Sequence, residues 1–404
     1  MKMKKVFVIV LALILAIGCI SCFTACNKEQ TTTVKFGLIT LHDESSTYDK
    51  NFIDAAKAVC KEMGVELVVK SGINEDQACY EAAADLVDQG CNIIFADSFG
   101  HEPFIIKAAK EFKDVQFFHA TGTNAHTEGL ANFHNAFANI YEGRYLAGVA
   151  AGMKLAAMKA ANPATASKIG YVGAFTYAEV MSGYTSYYLG VKSIVPDVTM
   201  EVTFTGSWYD PTAEKAAAET LIANGCVLIS QHADSMGAPT ACKEAGVPNV
   251  TYNVSTKADT PNTYLIGSKI NWAVYYKYII EKVQKGEAIE ADWVGGIENG
   301  AVQLTELNTA VAAEGTAAKL EEVKAKLASG EVKVFDTNTF TVEGNKLTTY
   351  LADVDDTKGQ DGKSDFIHET EVVINGVFAE SVKRSAPYFD ITIDGISIIG
   401  EPKY

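Results

Sequence analysis

From residue 34 onward, short continuous apolar runs alternate with stretches whose apolar residues recur every three or four positions. Residues 34–40 form one such run. In 51–63, Phe52, Ala55, Ala56, Val59 and Cys60 share one helical face. The rhythm continues with strands predicted at 66–69, 92–96 and 115–119 and helices at 77–88 and 102–112. A second cycle opens at Lys168, with strands at 169–173, 199–204, 227–230, 250–253 and 263–268. Its helices fall at 184–194, 211–224, 238–245 and 272–285. Apolar runs without polar alternation describe parallel strands buried on both faces, joined by right-handed helical crossovers. Two such cycles predict an α/β protein of two lobes.

Beyond Thr305 the pattern changes. Residues 318–328 read as a charged amphipathic helix, and 332–350 alternate around Glu343-Gly344-Asn345 as a hairpin does. Residues 354–366, rich in Asp, Lys and Gly, read as a mobile loop, and 372–377 and 389–399 as strands that pair with each other. Residues 331–404 are thus expected to form a β-rich extension.

The amino terminus follows another rule. Three lysines in the first five residues precede a nearly continuous apolar stretch from Val6 to Ile17, then small residues and cysteines up to Cys26. A basic segment, a short apolar segment and a small-residue site describe an export signal. The apolar run falls short of the ~20 residues a spanning helix needs. Phe23-Thr24-Ala25-Cys26 resembles a bacterial lipobox, with Cys22 as the alternative acceptor. The expectation is a signal peptide over 1–25, lipidation of Cys26 and a polar tether over 26–33. Two acyl chains would suffice for stable anchoring.

The formal net charge of −16 becomes −19 once the three leader lysines are removed, which argues against nucleic-acid partners. Five cysteines follow Cys26: Cys60, Cys79, Cys91, Cys226 and Cys242. Their odd number, without CxxC or Cys/His spacing, suits buried thiols better than a disulfide framework or a metal site.

In open parallel sheets, ligands lie beyond the carboxyl ends of the strands. The loops at those ends carry His42, Tyr48, Ser98, Phe99, Phe175, Trp208, Asp210, His232, Asp234 and Asn253. Aromatic faces and hydrogen-bonding groups in this arrangement suit a flat polar ligand. Each has a plainer reading. Trp208 could cap the core. Asp210 before Pro211 could be only a helix N-cap, and His42 with Asp43 an Asx-type turn. His232 and Asp234 lack a nucleophile motif, a P-loop or a Gly-x-Gly-x-x-Gly beside them, so hydrogen bonding to a ligand edge is a simpler role than catalysis. No metal and no cofactor is expected, and no enzyme activity.

Gly37-Leu38-Ile39-Thr40 with Thr47-Tyr48-Asp49 resembles the opening of the basic membrane protein family, bacterial lipoproteins that bind purine nucleosides or related compounds for ABC importers. Tyr141-Glu142-Gly143-Arg144-Tyr145-Leu146-Ala147-Gly148 is similar to its most recognisable motif. Gly206-Ser207-Trp208-Tyr209-Asp210-Pro211, Gln231-His232-Ala233-Asp234-Ser235 and Asn271-Trp272-Ala273-Val274-Tyr275-Tyr276 add to the resemblance, which covers roughly 34–305.

The resemblance implies two Rossmann-like lobes of the type I periplasmic-binding-protein kind, closing over ligand about a hinge. Lobe one would comprise 34–142 plus 257–290, and lobe two 143–256 plus 291–330. Tyr48 would match the first-lobe aromatic that stacks on the base. The second-lobe aromatic position falls at Gly183, beside Tyr184, so Trp208 or Phe175 would supply that face. An acidic ribose-binding position is Asn253 here, and a lysine position falls at Ser268, next to Lys269. Glu142 is assigned to the hinge, and Asn271 and Trp272 join the candidate site. The implied partners are a purine base or nucleoside, ABC permease subunits and the membrane through the lipid anchor. The second reading is a sensor lipoprotein of the same fold that signals to a membrane partner without transport.

Overall fold

The computed structural model describes residues 33–354, 368 and 370–404. The leader, the tether, Cys26 and residues 355–367 lie outside the described residues.

The first sheet contains β1 (Lys35–Ile39), β2 (Glu66–Lys70), β3 (Ile93–Ala96), β4 (Gln116–Ala120), β5 (Phe133–Ala138) and β11 (Asp292–Gly295). Their order is β11-β5-β4-β3-β1-β2, all parallel. The second sheet contains β6 (Lys168–Gly173), β7 (Thr199–Phe204), β8 (Ile229–Gln231), β9 (Asn249–Tyr252), β10 (Tyr264–Ile270), β12 (Val302–Leu304) and β17 (Ile396–Ile399). They run β12-β10-β9-β8-β6-β7-β17, with only the β10–β12 pair antiparallel.

Local signals set the helix ends. In α1 (Thr47–Met63) the Ser46 hydroxyl accepts from the Asp49 N–H, and Gly64 ends the helix in the left-handed region (φ 67°). In α7 (Pro211–Ala223) Asp210 accepts from the N–H groups of Thr212 and Ala213, with Pro211 in the first turn. The first-lobe core continues under α2 (Gln77–Asp88) and α3 (Glu102–Glu111), where Cys79, Leu86, Ile94, Ile105 and Phe117 are buried together. In the second lobe α5 (Ile140–Ala161) crosses α6 (Ala178–Lys192) at glycine-to-glycine distance. A Cβ on Gly148 would lie 2.1 Å from the Tyr187 carbonyl oxygen, and one on Gly190 2.1 Å from that of Tyr145.

Three segments pass between the lobes: β5 into α5 at Asn139, β10 into α9 (Trp272–Lys285) at Asn271, and β11 into β12 across 296–301. They are bonded to one another. Asn139 N–H donates to Gly295 O (2.7 Å) and Asn271 N–H to Ala301 O (2.7 Å). Ile297 N–H donates to Glu142 Oε2 (2.8 Å), which gives Glu142 a place in the hinge.

Sheet membership corrects the expected lobe division. Residues 264–270, expected with lobe one, are a strand of the second sheet, and residues 292–295, expected with lobe two, are the edge strand of the first. The chain re-enters lobe one only at Asn271 and leaves it after Gly295. The extension also differs from expectation. Val373–Ile374 pairs with its own neighbour Val377–Phe378, whereas Ile396–Ile399 adds in parallel to β7. The expected hairpin at 332–350 is a tight turn with one bridge, Val342 to Asn345. No helix among the described residues is long and apolar enough to cross a membrane.

Candidate functional site

The carboxyl ends of both sheets face a shared cavity of ≈ 670 Å³. The first lobe contributes His42, Tyr48 and Asp49 from the loop after β1 and the start of α1, Ser98 and Phe99 after β3, and Thr121 after β4. The second lobe contributes Thr176 and Tyr177 between β6 and α6, Glu179 in the first turn of α6, Trp208 after β7, and His232 and Asp234 after β8. The lobes touch around it. Thr47 N–H donates to Asp234 O at 2.8 Å, and the Phe99 ring lies 5.3 Å from that of Tyr177.

A third wall comes from the extension, through Arg384, Ala386, Pro387, Tyr388, Asp390 and Tyr404. This segment is tied to both lobes. Ser385 N–H and Oγ–H donate to Asp292 Oδ1 at 2.9 and 2.7 Å on the first-sheet edge. Thr176 N–H donates to Lys403 O (2.7 Å) and Lys403 N–H to Thr176 Oγ1 (2.9 Å) on the second lobe. Asp390 Oδ1 accepts from the Tyr350 hydroxyl at 2.6 Å.

Seven of the sequence candidates meet in this cavity: His42, Tyr48, Ser98, Phe99, Trp208, His232 and Asp234. Tyr48 is pinned by its hydroxyl, which donates to Asp97 O (2.8 Å). Ser98 Oγ–H donates to Glu75 Oε1 at 2.6 Å. Trp208 stands edge-on to Phe175, with ring centroids 4.9 Å apart, and Phe175 stacks on Tyr177 at 5.3 Å.

The other candidates are placed elsewhere. Phe175 is not in the cavity lining and supports Trp208 from behind. Asp210 is the N-cap of α7, both its bonds directed to that helix. Asn253 is buried outside the lining, at φ 65°, with its N–H on Ser268 O. Asn is one of the few residues that tolerates this conformation. Asn271 is a hinge residue, its Nδ2 donating to Gly300 O at 3.2 Å. Trp272 is 1 % exposed and stacks on Phe52 at 4.4 Å, so it belongs to the first-lobe core.

Sequence reasoning missed Asp49, Tyr177, Glu179 and the extension residues. An acidic residue in a first helical turn, as Glu179 is in α6, reads as a complement to the helix dipole. The extension reads as strands pairing with each other, a pattern that does not point to a cleft.

The carboxyl groups differ in character. Burial works against ionisation of Asp49, yet the His42 imidazole (3.4 Å), the Ser46 hydroxyl (2.5 Å) and the His42 backbone N–H (2.7 Å) hold it below the usual range. Asp97 and Asp234 are pushed well above the usual range, by burial first and then by the Asp49 charge. Asp234 Oδ1 is buried without a hydrogen-bond partner and belongs to a cavity-lining side chain. Among the described residues, no group of three His, Cys, Asp or Glu side chains is arranged to hold a metal ion.

Two lobes built on mainly parallel sheets, three crossing segments and a cavity at the carboxyl edges define the periplasmic-binding-protein fold. The chain belongs to the Bmp family, described as PnrA-like ABC transporter substrate-binding proteins, whose model matches residues 38–338. These are solute-binding proteins rather than enzymes. A purine-binding protein of Brucella abortus is 29 % identical over 287 residues, covering 70 % of this chain and 77 % of that one. A putative ABC transporter glucose-binding protein of Haloferax volcanii is 32 % identical over 246 residues, covering 61 % of this chain and 57 % of its own length. Among solved structures, a solute-binding protein of an ABC transporter system from Conexibacter woesei shares the fold (TM-score 0.63, 21 % identity, 74 % of this chain and 98 % of that one). Another, from Aeropyrum pernix, has a TM-score of 0.64 at 19 % identity, covering 74 % of this chain and 92 % of that one.

Proposed function

We propose that this protein is an extracytoplasmic lipoprotein, anchored through Cys26, that binds a purine base or nucleoside between its lobes and delivers it to an ABC permease. The observation that carries the ligand class is the cavity itself: Tyr48, Phe99 and Trp208 offer aromatic faces, and Asp234 offers a buried carboxyl oxygen without a partner. A flat heterocycle satisfies both, because its faces stack while its edge donates hydrogen bonds. The purine-binding Brucella relative supports the same class.

Ligand touching both lobes would favour the closed form only by its differential affinity for closed over open, and the permease would read that closure. The glucose-binding relative makes a sugar the competing ligand, since a sugar ring can also lie on an aromatic face.

The test is calorimetry on the chain from residue 27 with adenine, guanine, adenosine, guanosine and glucose. Binding of at least one purine with no response to glucose is expected. Binding of glucose and of no purine overturns the ligand class. Uptake of the bound purine should be lost when the gene is deleted from its host; unchanged uptake with an altered transcriptional response would favour a sensor. Cys26→Ser should release the protein into the medium, and retention lost only with Cys22→Ser would move the anchor.

A further inference from the structure

Behind the cavity, Arg144 of α5 is 1 % exposed, a cation removed from water. It lies 3.5 Å over the Tyr252 ring and donates to Gln231 O (3.1 Å) and to His232 Nδ1 (3.2 Å). Arginine has no acceptor atoms, so His232 Nδ1 must be the acceptor and its proton resides on Nε2. Nε2–H faces Glu179 Oε2 at 2.6 Å. The chain Arg144, His232, Glu179 is therefore a directed relay from a buried positive charge to a carboxylate at the cavity wall. Burial lowers the basicity of this imidazole, outweighing the Glu179 carboxylate, which favours the charged form, and Arg144 adds to the lowering.

Glu179 Oε2 is occupied by this bond, while Oε1 is buried without a partner on a cavity-lining residue. Gly183, one turn further along α6, leaves room for the imidazole. A Cβ there would approach His232 Nδ1 to 2.9 Å and Cε1 to 3.1 Å. Asp234 Oδ1, also unpartnered, belongs to the same wall. A carbonyl presented to the Glu179 acceptor would leave lone pairs facing lone pairs, whereas an N–H would satisfy it; Asp234, biased toward its protonated form by burial, can meet either.

We propose that Glu179 contacts the ligand, with His232 and Arg144 as its positioning residues, and that this wall selects amino-substituted rings over their oxo counterparts. The inference rests on the cavity being the purine site. Replacing an exocyclic amino group by a carbonyl turns a donor into an acceptor at that position and the neighbouring ring nitrogen from acceptor into donor, while hardly changing shape.

The experiment compares adenine with hypoxanthine, and guanine with xanthine, by calorimetry on the full mature chain. The amino member of at least one pair should bind about ten-fold or more tightly, the scale of a hydrogen bond to a charged group. Glu179→Gln, whose amide can turn an N–H to either partner, should collapse that preference to within about three-fold. Arg144→Met should do the same, and in the Glu179→Gln background it should add nothing, because the two act through one path. His232→Gln, which retains a donor toward Glu179, should keep the preference, and His232→Leu should lose it. The histidine pair decides the question if Arg144→Met does not fold. No discrimination within either pair, a preference that survives Glu179→Gln, or additive losses overturn the inference. Absence of any purine binding would instead overturn the ligand assignment beneath it.

Discussion

Replacing Trp208 with alanine removes one aromatic wall of the cavity while leaving its backbone in place, where Trp208 O accepts the Asp234 N–H at 3.0 Å. Two costs separate cleanly. In the free protein, the edge-on contact with Phe175 at 4.9 Å disappears, a loss of ~0.5–1.5 kcal/mol beyond buried area. In the complex, loss of one base-stacking face weakens binding by ~1–3 kcal/mol, which corresponds to about 5–150-fold in Kd. Trp208→Phe keeps a smaller face and should fall between wild type and alanine. Calorimetry with the tightest purine gives Kd, and urea unfolding without ligand gives the stability change. A Kd within two-fold of wild type, in a Trp208→Ala protein that unfolds cooperatively, would remove Trp208 from the binding surface and refute the stacking argument.

Glu380 and Glu142 are both pushed up to about 7, chiefly by burial. Between the ordinary value of 4.5 and about 7 the folded protein holds these protons more tightly than the unfolded chain, so stability falls as pH rises through that window and levels above it. Glu380→Gln should flatten the decline measured by urea unfolding between pH 4.5 and 8; an unaltered slope would count against burial as the cause. Gly148→Ala sets a Cβ against the Tyr187 carbonyl oxygen at 2.1 Å and should cost ~1–3 kcal/mol or more through overpacking. A urea midpoint unchanged from wild type would mean that α5 and α6 separate freely. Burial raises the thiols of Cys60 and Cys91 to about 11, those of Cys226 and Cys242 to about 12, and that of Cys79 as well. Iodoacetamide at pH 8 should therefore label all five only after denaturation, and mass spectrometry of the native protein would expose any exception.

The alternation of runs was legible because most strands are apolar throughout and most helices are amphipathic. β5 escaped because its sequence includes His134 and Asn135, which read as loop residues. The fold buries both and gives partners to their side-chain nitrogens: the His134 ring to Glu290 O and Gln116, and the Asn135 amide N–H to Glu102. β11 is four residues ending in glycine and joins the first sheet only through tertiary pairing. The strand-end rule brought Tyr48, Trp208, His232 and Asp234 into view, since topology alone fixes where such loops converge. It could not separate Asp210, whose geometry as a cap is local and whose position at a strand end is identical either way. It also could not reach Arg144, which sits in the second turn of α5 and at no strand end.

The Ser385–Asp292 contact and strand β17 give the cleft a property apart from affinity. Beyond the three hinge segments, one stretch of chain is hydrogen-bonded to the edge of the first sheet at Asp292 and woven into the edge of the second at Met200–Thr203. Opening that parts the Asp292 edge from β7 draws on the chain between Ser385 and Ile396 and on these attachments, two hydrogen bonds at the serine against a four-residue parallel ladder. The tail is thus a connection between the two sheet edges separate from the hinge, and its length and attachments bear on how far the lobes can part.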